Sequence, residues 1–309
     1  MRVQVQKKIP LPRRRAAKSS LGNYLEDVFQ RYHTADRLAR DPLLFLHRYS
    51  RPDDIEIAGL FAALLAYGRV DGILASVGRV LDTLGASPAA SVRQFRAERD
   101  AARFHGFVHR WSRAEDIVAL IVVLQRVLAR DGSVEALFLR SYAPGKPAAM
   151  RDALSGFVGE LRALAPRGAA ASTRSRGLAF FLPDPASGSA CKRLNLYLRW
   201  MTRRNDALDR GVWQSVSPAD LIMPLDTHVA RISRNLGLSS RKSANWKMAE
   251  DVTASLRAFS PHDPTRYDFS LCRLGILEAC PTRHDVAKCL ACELRPACHL
   301  YRSLRAATA

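Results

Sequence analysis

The chain has 309 residues, of which 48% are hydrophobic and 25% are charged. This is enough for one large domain or two modest ones with a hydrophobic core, and it excludes wholesale disorder. The longest uncharged apolar stretch, residues 57–67, is well short of the roughly 18 residues that cross a bilayer. Residues 1–20 are basic and lack the apolar region of a secretory signal. We therefore expect a cytoplasmic protein with no membrane contact.

The charge balance is strongly basic. Lysine and arginine number 48 against 29 aspartates and glutamates, a formal net charge of +19. A GC-rich genome would explain many arginines, but it does not explain the shortage of acidic residues. An excess of this size favours a polyanionic partner, and no amphipathic anchor points to a membrane. We expect a nucleic-acid partner, and a monomer associated with the nucleoid.

In chain order, the sequence begins with a basic flexible tail at residues 1–19 and then predicts helices almost throughout. Residues 53–56 and 112–115 match the capping-box pattern, and each precedes an apolar run at helical spacing. Residues 165–178 are predicted to form a basic flexible loop. No stretch alternates as a strand would, so the predicted fold class is all-α. The other predicted helices cover residues 20–33, 70–84, 133–142, 149–164, 190–203, 227–236 and 245–258.

A turn of small residues precedes the helix predicted at 190–203. Gly188 and Ser189 stand in this turn, and Lys192 and Arg193 follow at the start of the helix. Backbone N–H groups at a helix N-terminus bind phosphate, and the two cations would add positive charge. Many helices begin in this way, so the pattern alone does not separate a phosphate site from an ordinary helix start.

The segment PLDTHV at residues 224–229 leads into the helix predicted at 227–236. Asp226 and His228 are its candidate functional side chains. Asp226 also fits a simple N-cap, which is the most frequent role of an aspartate before a helix, and His228 fits a surface or capping residue. Both interpretations stay open on the sequence of this segment alone.

Cysteines are concentrated near the C-terminus. Cys280, Cys289, Cys292 and Cys298 are separated by eight, two and five residues. Because cytosolic chains rarely hold disulfides, this cluster predicts a metal site. Four thiolates at this spacing can bind a [4Fe–4S] cluster or a structural zinc ion, and the unequal loops suit the cluster. Cys272 lies on the apolar side of a predicted helix, where we expect a buried thiol.

Taken in this order, the three motifs resemble the endonuclease III branch of the helix–hairpin–helix DNA glycosylase superfamily. That branch places a hairpin of the type G-x-G-x-K-T-A-N before a V-D-T-H-V-x-R motif and a C-terminal loop of four cysteines. Residues 188–195 fit the hairpin, residues 225–231 fit the Asp motif, and the last two cysteine gaps match. The similarity covers most of residues 50–300. Within it, GSACKRLNLYLRWM and PLDTHVARISRNLGL are similar to segments of a bacterial family, DUF2400.

The resemblance implies a two-lobed, helix–hairpin–helix glycosylase-like fold with a C-terminal iron–sulfur loop. One lobe would combine residues 20–69 with residues 226–309. Residues 70–225 would form a central helical domain that contains the hairpin. The cleft between the lobes would bind double-stranded DNA, with the target base rotated out of the stack.

The resemblance also implies roles for individual residues. Asp226 would stabilise positive charge on the deoxyribose as the base leaves, and Lys192 would attack C1′ and give abasic-lyase activity. Tyr67 and Arg69 would fill the gap left by the base, and the four cysteines would hold the cluster. The expected DNA contacts are Gly188, Ser189, Arg193, Tyr67, Arg69, His228, Arg231 and Lys288, with Arg283 and Arg295 as further phosphate contacts.

Two other functions stay open besides a base-excision glycosylase. One is a non-catalytic iron–sulfur protein that keeps the fold and binds DNA. The other is an RNA-directed enzyme, because net charge does not distinguish DNA from RNA. Zinc is the alternative to the [4Fe–4S] cluster.

Overall fold

The computed structural model describes residues 21–146, 148–166, 177–277, 280 and 285–302. Nearly all regular structure in these residues is helical. The helices are α1 (Leu21–Tyr32), α2 (Pro52–Leu64), α3 (Val70–Leu84), α4 (Pro88–Arg93), α5 (Ala97–Asp100), α6 (Ala114–Arg130), α7 (Val134–Leu139), α8 (Ala149–Ala163), α9 (Lys192–Thr202), α10 (Thr227–Asn235), α11 (Trp246–Arg257), α12 (Asp268–Ile276) and α13 (Val286–Ala291). A short helical stretch also covers residues 177–181.

The all-α prediction is confirmed, and the seven helices predicted with bounds all end within three residues of their expected places. The prediction that the chain has no strands is wrong at one place. Strands β1 (Val108–His109) and β2 (Ser112–Arg113) form an antiparallel hairpin. Each strand has only two residues, which is too short for an alternating pattern to reveal it.

Helix α2 is the central element of the described structure, because it is buried on every side from residue 54 to residue 64. Its two buried carboxylates accept hydrogen bonds from N–H groups at the starts of other helices. Asp54 accepts a hydrogen bond of 2.9 Å from the N–H of Ala89 in α4. Glu56 accepts one of 2.8 Å from the N–H of Glu135 in α7. The carboxylates thereby satisfy N–H groups that have no partner within their own helices.

Both predicted capping boxes are wrong in detail, although a helix does begin at each place. Helix α2 starts with Pro52, whose fixed φ suits a first helical turn, and residues 53–56 do not cap it. At the start of α6, Asp116 accepts a hydrogen bond of 2.8 Å from the N–H of Arg113. The residues that cap α6 are therefore one position later than the predicted pair within 112–115.

The apolar core divides into two clusters. Helices α2–α9 build most of the larger cluster, and α1, α10, α11 and α12 build most of the smaller one. Residues 38–65 join the larger cluster. Helix α2 packs against α9 at Gly59, where a Cβ would lie 2.8 Å from the Met201 methyl group.

A buried network of ion pairs links the two clusters. Arg199 in α9 pairs with Asp268 at the start of α12 and, at 3.1 Å, with Asp209. Arg203, one turn further on, pairs with Asp209 at 2.6 Å and with Asp206 at 2.9 Å. Buried charges are tolerated only when they are paired and hydrogen-bonded, as they are here. The network therefore fixes α9 against α12, two of the helices that carry candidate site residues.

Three predictions fall outside the described residues. They are the basic tail at 1–19, most of the loop at 165–178, and the phosphate contact Arg283. Among the described residues, no helix has both the length and the apolar character needed to cross a bilayer.

Candidate functional site

Residues from several helix ends come together to form the candidate site. Lys192 is the first residue of α9, and Asp226 immediately precedes α10. Asp268 and Cys272 lie in the first two turns of α12. The carbonyl of Ala66, just after α2, completes the group. The two residues that the sequence predicts as catalytic therefore lie in one neighbourhood although they are far apart in sequence.

Asp226 is half-buried, and both of its carboxylate oxygens accept hydrogen bonds. Oδ1 accepts from the N–H of Val229 at 2.7 Å, which is an N-cap of α10. Oδ2 accepts from the thiol of Cys272 at 3.3 Å. The N-cap interpretation of Asp226 is thus correct geometrically, and the second oxygen is directed at a neighbouring helix rather than at solvent.

Lys192 is half-buried, and its Nζ donates a hydrogen bond of 3.2 Å to the carbonyl of Ala66. Its charge also acts on α12. Burial raises the pKa of Asp268 to about 7, while Arg199 and Lys192 act in the opposite direction. Burial also raises the pKa of the Cys272 thiol, and Asp226 and Asp268 add to the effect. The thiol therefore stays protonated at neutral pH and can donate to Asp226.

Cys272, which the sequence predicts to be a buried thiol, is half-buried as a whole residue. Its sulfur donates a hydrogen bond at the candidate site. Asp268 is fully enclosed and was not a predicted site residue. An aspartate in the first turn of a helix is common, so the sequence contains no signal that would single Asp268 out.

Arg193, a predicted phosphate contact, donates hydrogen bonds to protein carbonyls. Its guanidinium donates to the carbonyl of Leu64 at 2.9 Å and to that of Phe180. It also lies over two rings, 5.2 Å from the centre of Tyr67 and 4.4 Å from that of Phe180. Burial lowers its pKa to about 10. Arg193 thereby closes the C-terminal end of α2 and forms a wall beside Tyr67.

Tyr67 contacts the β-hairpin, whereas Arg69 is exposed to solvent. The Tyr67 hydroxyl donates a hydrogen bond of 2.8 Å to the carbonyl of His109 in β1 and lies 2.7 Å from Ser112 Oγ in β2. Burial raises the pKa of this phenol. Arg69 is exposed at the start of α3. The structure therefore connects the loop at 67–69 to the β-hairpin, an element the sequence did not predict.

The predicted phosphate-binding turn is exposed at Gly188, which has φ +86°. The N–H of Trp246 in α11 donates a hydrogen bond of 3.1 Å to the Gly188 carbonyl. Ser189 pairs with Asn245 as an isolated β-bridge, and its Oγ accepts from the N–H of Cys191 at 3.2 Å. Backbone contacts with the start of α11 thus hold the turn in place.

His228 and Arg231 lie in α10 and contact α12 and the cysteine region. His228 is half-buried against Gly275 of α12, where any added Cβ would lie 2.5 Å from the His228 Cβ. Arg231 Nη2 donates a hydrogen bond of 2.5 Å to the Cys280 carbonyl and lies 3.4 Å from His228 Nδ1. Gly275 is therefore needed for the close approach of the two helices.

The four C-terminal cysteines all line one cavity, of about 40 Å³. Ile232, Leu236 and Leu274 give this cavity an apolar wall. Burial raises the pKa of the Cys292 thiol to about 11. The cavity thus brings Cys280, Cys289, Cys292 and Cys298 to one place. Within the described ranges, no set of three or more His, Cys, Asp or Glu side chains is arranged to hold a metal ion.

Lys288 lies between two of these cysteines, in the short helix α13. Its N–H donates a hydrogen bond of 3.1 Å to Asp285, the N-cap of that helix. Lys288 is half-buried on the cysteine loop.

Comparison with known proteins identifies the family. A family model described as "Protein of unknown function (DUF2400)" matches residues 41–277. This is more than half of the chain, and the protein belongs to that family. The family membership expected from the two sequence segments is confirmed. Searches of curated proteins and of solved structures gave no match.

Proposed function

We propose that this protein is a base-excision glycosylase that acts on double-stranded DNA. The observation that carries the proposal is the convergence of Asp226 and Lys192 on α12. Asp226 contacts Cys272, and the charge of Lys192 acts on both Cys272 and Asp268. In such a site a carboxylate can stabilise positive charge on a deoxyribose, and an amine can attack C1′.

In the proposed reaction, the target base is rotated out of the duplex, because its glycosidic bond is inaccessible in the stack. The electron pair of the C1′–N bond leaves with the base, and positive charge develops on the sugar. Asp226 stabilises that charge, once its Oδ2 has released the Cys272 thiol. A nucleophile then bonds to C1′. Lys192 in its neutral form supplies the nitrogen for lyase chemistry, and otherwise water attacks.

The cysteine cavity would hold a [4Fe–4S] cluster through Cys280, Cys289, Cys292 and Cys298, and zinc is the alternative metal. The cluster would supply structure rather than chemistry at the sugar. Arg231 donates to the carbonyl of Cys280, and Asn235 Nδ2 lies 4.0 Å from the Cys280 sulfur. Through these two contacts, binding of a cluster in the cavity would affect α10. A loaded cavity would stabilise the loop packed against the helix that Asp226 caps.

A non-catalytic DNA-binding protein is the second candidate, and one observation favours it. Both oxygens of Asp226 already accept hydrogen bonds within the protein. A carboxylate with these contacts and no other role would be a structural cap.

Base release from a panel of duplexes, each with one damaged or mismatched base, tests the proposal. Release of any base by the purified protein, with loss of that activity in Asp226→Asn, supports a glycosylase. Tight DNA binding without release from any duplex supports the non-catalytic alternative. Competition by double-stranded RNA at concentrations equal to those of DNA would instead favour an RNA-directed enzyme.

A further inference from the structure

The hairpin formed by β1 and β2 has an unusual turn. Val108 pairs with Arg113 and His109 with Ser112, which leaves Arg110 and Trp111 as the two turn residues. Arg110 has φ +52°, a conformation that two-residue hairpin turns usually reserve for glycine or asparagine. An arginine in this left-handed conformation raises the free energy of the folded state. Backbone strain of this kind clusters at functional sites.

The hairpin is firmly anchored to the loop at 67–69. Besides the two contacts of the Tyr67 hydroxyl, His109 Nε2 donates a hydrogen bond of 3.0 Å to the Tyr67 carbonyl, and His109 Nδ1 lies 2.9 Å from Ser76 Oγ. Burial lowers the pKa of His109, so the ring is neutral, accepts from Ser76 at Nδ1 and keeps its proton on Nε2. The turn is therefore held rigidly beside the wall formed by Tyr67 and Arg193.

Trp111 projects from this rigid base into solvent. Its relative exposure is 69%, the largest among the exposed apolar side chains of the described residues. The other three tryptophans, Trp200, Trp213 and Trp246, are no more than 3% exposed. An exposed indole is costly in water and is typical of a surface that meets a partner.

Basic side chains lie near the indole. The Arg110 guanidinium lies 5.8 Å from the Trp111 ring, and Arg69 and Arg113 are exposed on the neighbouring loop and strand. Gly68 allows the loop to approach Arg110 closely, since a Cβ there would lie 2.8 Å from the Arg110 side chain. An exposed aromatic ring beside an arginine matches the chemistry of a nucleic-acid strand, with a base for the ring and phosphates for the cations.

We propose that Trp111 is a base-stacking residue and that the hairpin 108–113 binds nucleic acid where a base face is uncovered. This inference rests on the proposed function as far as nucleic-acid binding is concerned, and it adds the kind of structure recognised. In an intact duplex both faces of every internal base are covered by neighbours. Trp111 therefore favours a gap, an abasic position or a single strand over a continuous duplex.

The test uses the full-length protein and three DNA probes of one sequence: an intact duplex, a duplex with one abasic position, and a single strand. Trp111→Ala should weaken binding to the abasic duplex and the single strand about tenfold, the range expected for loss of one stacked base. Binding to the intact duplex should change less than about twofold. Trp111→Phe should restore most of the lost affinity. Val108→Ala removes an exposed apolar side chain from the same hairpin and should change nothing.

Intrinsic fluorescence gives an independent readout, because Trp111 is the one tryptophan of the four that solvent reaches. The abasic duplex should quench its emission and protect it from acrylamide. Binding of that duplex with unchanged emission, and with equal affinity in Trp111→Ala, overturns the stacking role while leaving the proposed function intact. If the wild-type protein binds none of the probes, the proposed function fails and this inference fails with it. Loss of self-association in Trp111→Ala at constant DNA affinity would assign the indole to a protein contact instead.

Discussion

The thiol of Cys272 donates a hydrogen bond to the carboxylate of Asp226, with 3.3 Å between Sγ and Oδ2. The contact joins the start of α10 to α12 and defines how Asp226 is held. Oδ1 is fixed by the backbone of its own helix, whereas Oδ2 is held by one neutral side-chain donor. A thiol is a weak hydrogen-bond donor, so a bound sugar cation can displace it from the carboxylate.

Asp226→Asn separates a catalytic carboxylate from a simple cap. Asparagine caps a helix about as well as aspartate, so the free energy of unfolding should change by less than about 1 kcal/mol. The substitution removes the negative charge, and base release under single-turnover conditions should fall at least about 100-fold. DNA affinity should be retained.

Asp82→Asn is the charge control, because Asp82 is exposed on α3 and pairs with Arg48 at 2.8 Å rather than with a residue of the candidate site. Its base release should equal that of the wild-type protein. Full activity in Asp226→Asn would show that this carboxylate is only a cap.

Sequence periodicity predicted the helices well because their apolar faces are local patterns. The bounds of α3, Val70–Leu84, match the prediction at both ends. The capping box at 53–56 failed for a tertiary reason. Glu56 stands at its last position, yet its carboxylate accepts hydrogen bonds from the N–H groups of Val134 and Glu135 at the start of α7. Nothing in a four-residue window distinguishes the two uses.

The candidate site was predicted in part. Lys192, Asp226 and the four cysteines carry motif spacings, so the sequence identified them. Asp268 was missed because its significance comes from Arg199, a partner 69 residues away. Trp111 was missed because two-residue strands leave no pattern, and its exposure is visible only once the fold is known.

Arg199→Met tests the buried ion-pair network. The substitution leaves the carboxylates of Asp209 and Asp268 without their shared cation in a buried place, which costs about 3–5 kcal/mol. Arg199→Lys should recover little, because a single ammonium cannot make the forked contacts of a guanidinium to two carboxylates. Urea unfolding followed by circular dichroism measures both changes.

Arg40→Ala is the surface comparison. Arg40 pairs with Asp71 at 3.0 Å, and both side chains are more than half exposed. Its loss should cost less than about 1 kcal/mol. An equal cost in the two variants would mean that burial does not set the strength of the network.

The cysteine cavity predicts the cofactor content. Anaerobically purified protein should be yellow-brown and contain about four iron and four sulfide per chain. Cys289→Ala should lose the colour, while Cys191→Ala, a buried cysteine outside the cavity, should keep it. Metal analysis and the visible absorption spectrum measure both. Colourless protein with about one zinc per chain would establish the alternative metal.

The net charge of +19 predicts the salt dependence of DNA binding. Each phosphate contact releases about one counterion, so a plot of log K against log salt concentration should have a slope of several negative units. Fluorescence anisotropy with a labelled duplex between low and physiological salt gives the slope. A slope near zero would remove nucleic acid as the partner.

Lys192→Gln tests covalent chemistry at C1′. If Lys192 is the nucleophile, its nitrogen forms a Schiff base with the ring-opened sugar, and borohydride reduces that bond to a stable amine. The trapped protein–DNA adduct should appear as a slowly migrating band for the wild-type protein and be absent for Lys192→Gln. The contact between Nζ and the Ala66 carbonyl holds the amine at the site, so the substitution removes the nucleophile without opening the core.

Lys247→Gln is the control for this experiment, because Lys247 is exposed on α11. This variant should form the same trapped adduct as the wild-type protein. Two results would redirect the assignment. Base release without any adduct, leaving abasic sites uncut, would make water the nucleophile and Lys192 a binding residue. An adduct that persists in Lys192→Gln would move the reacting amine to another residue, and peptide mapping of the reduced adduct would identify it. Only disappearance of the adduct in Lys192→Gln, with Lys247→Gln unaffected, supports Lys192 as the residue that attacks the sugar.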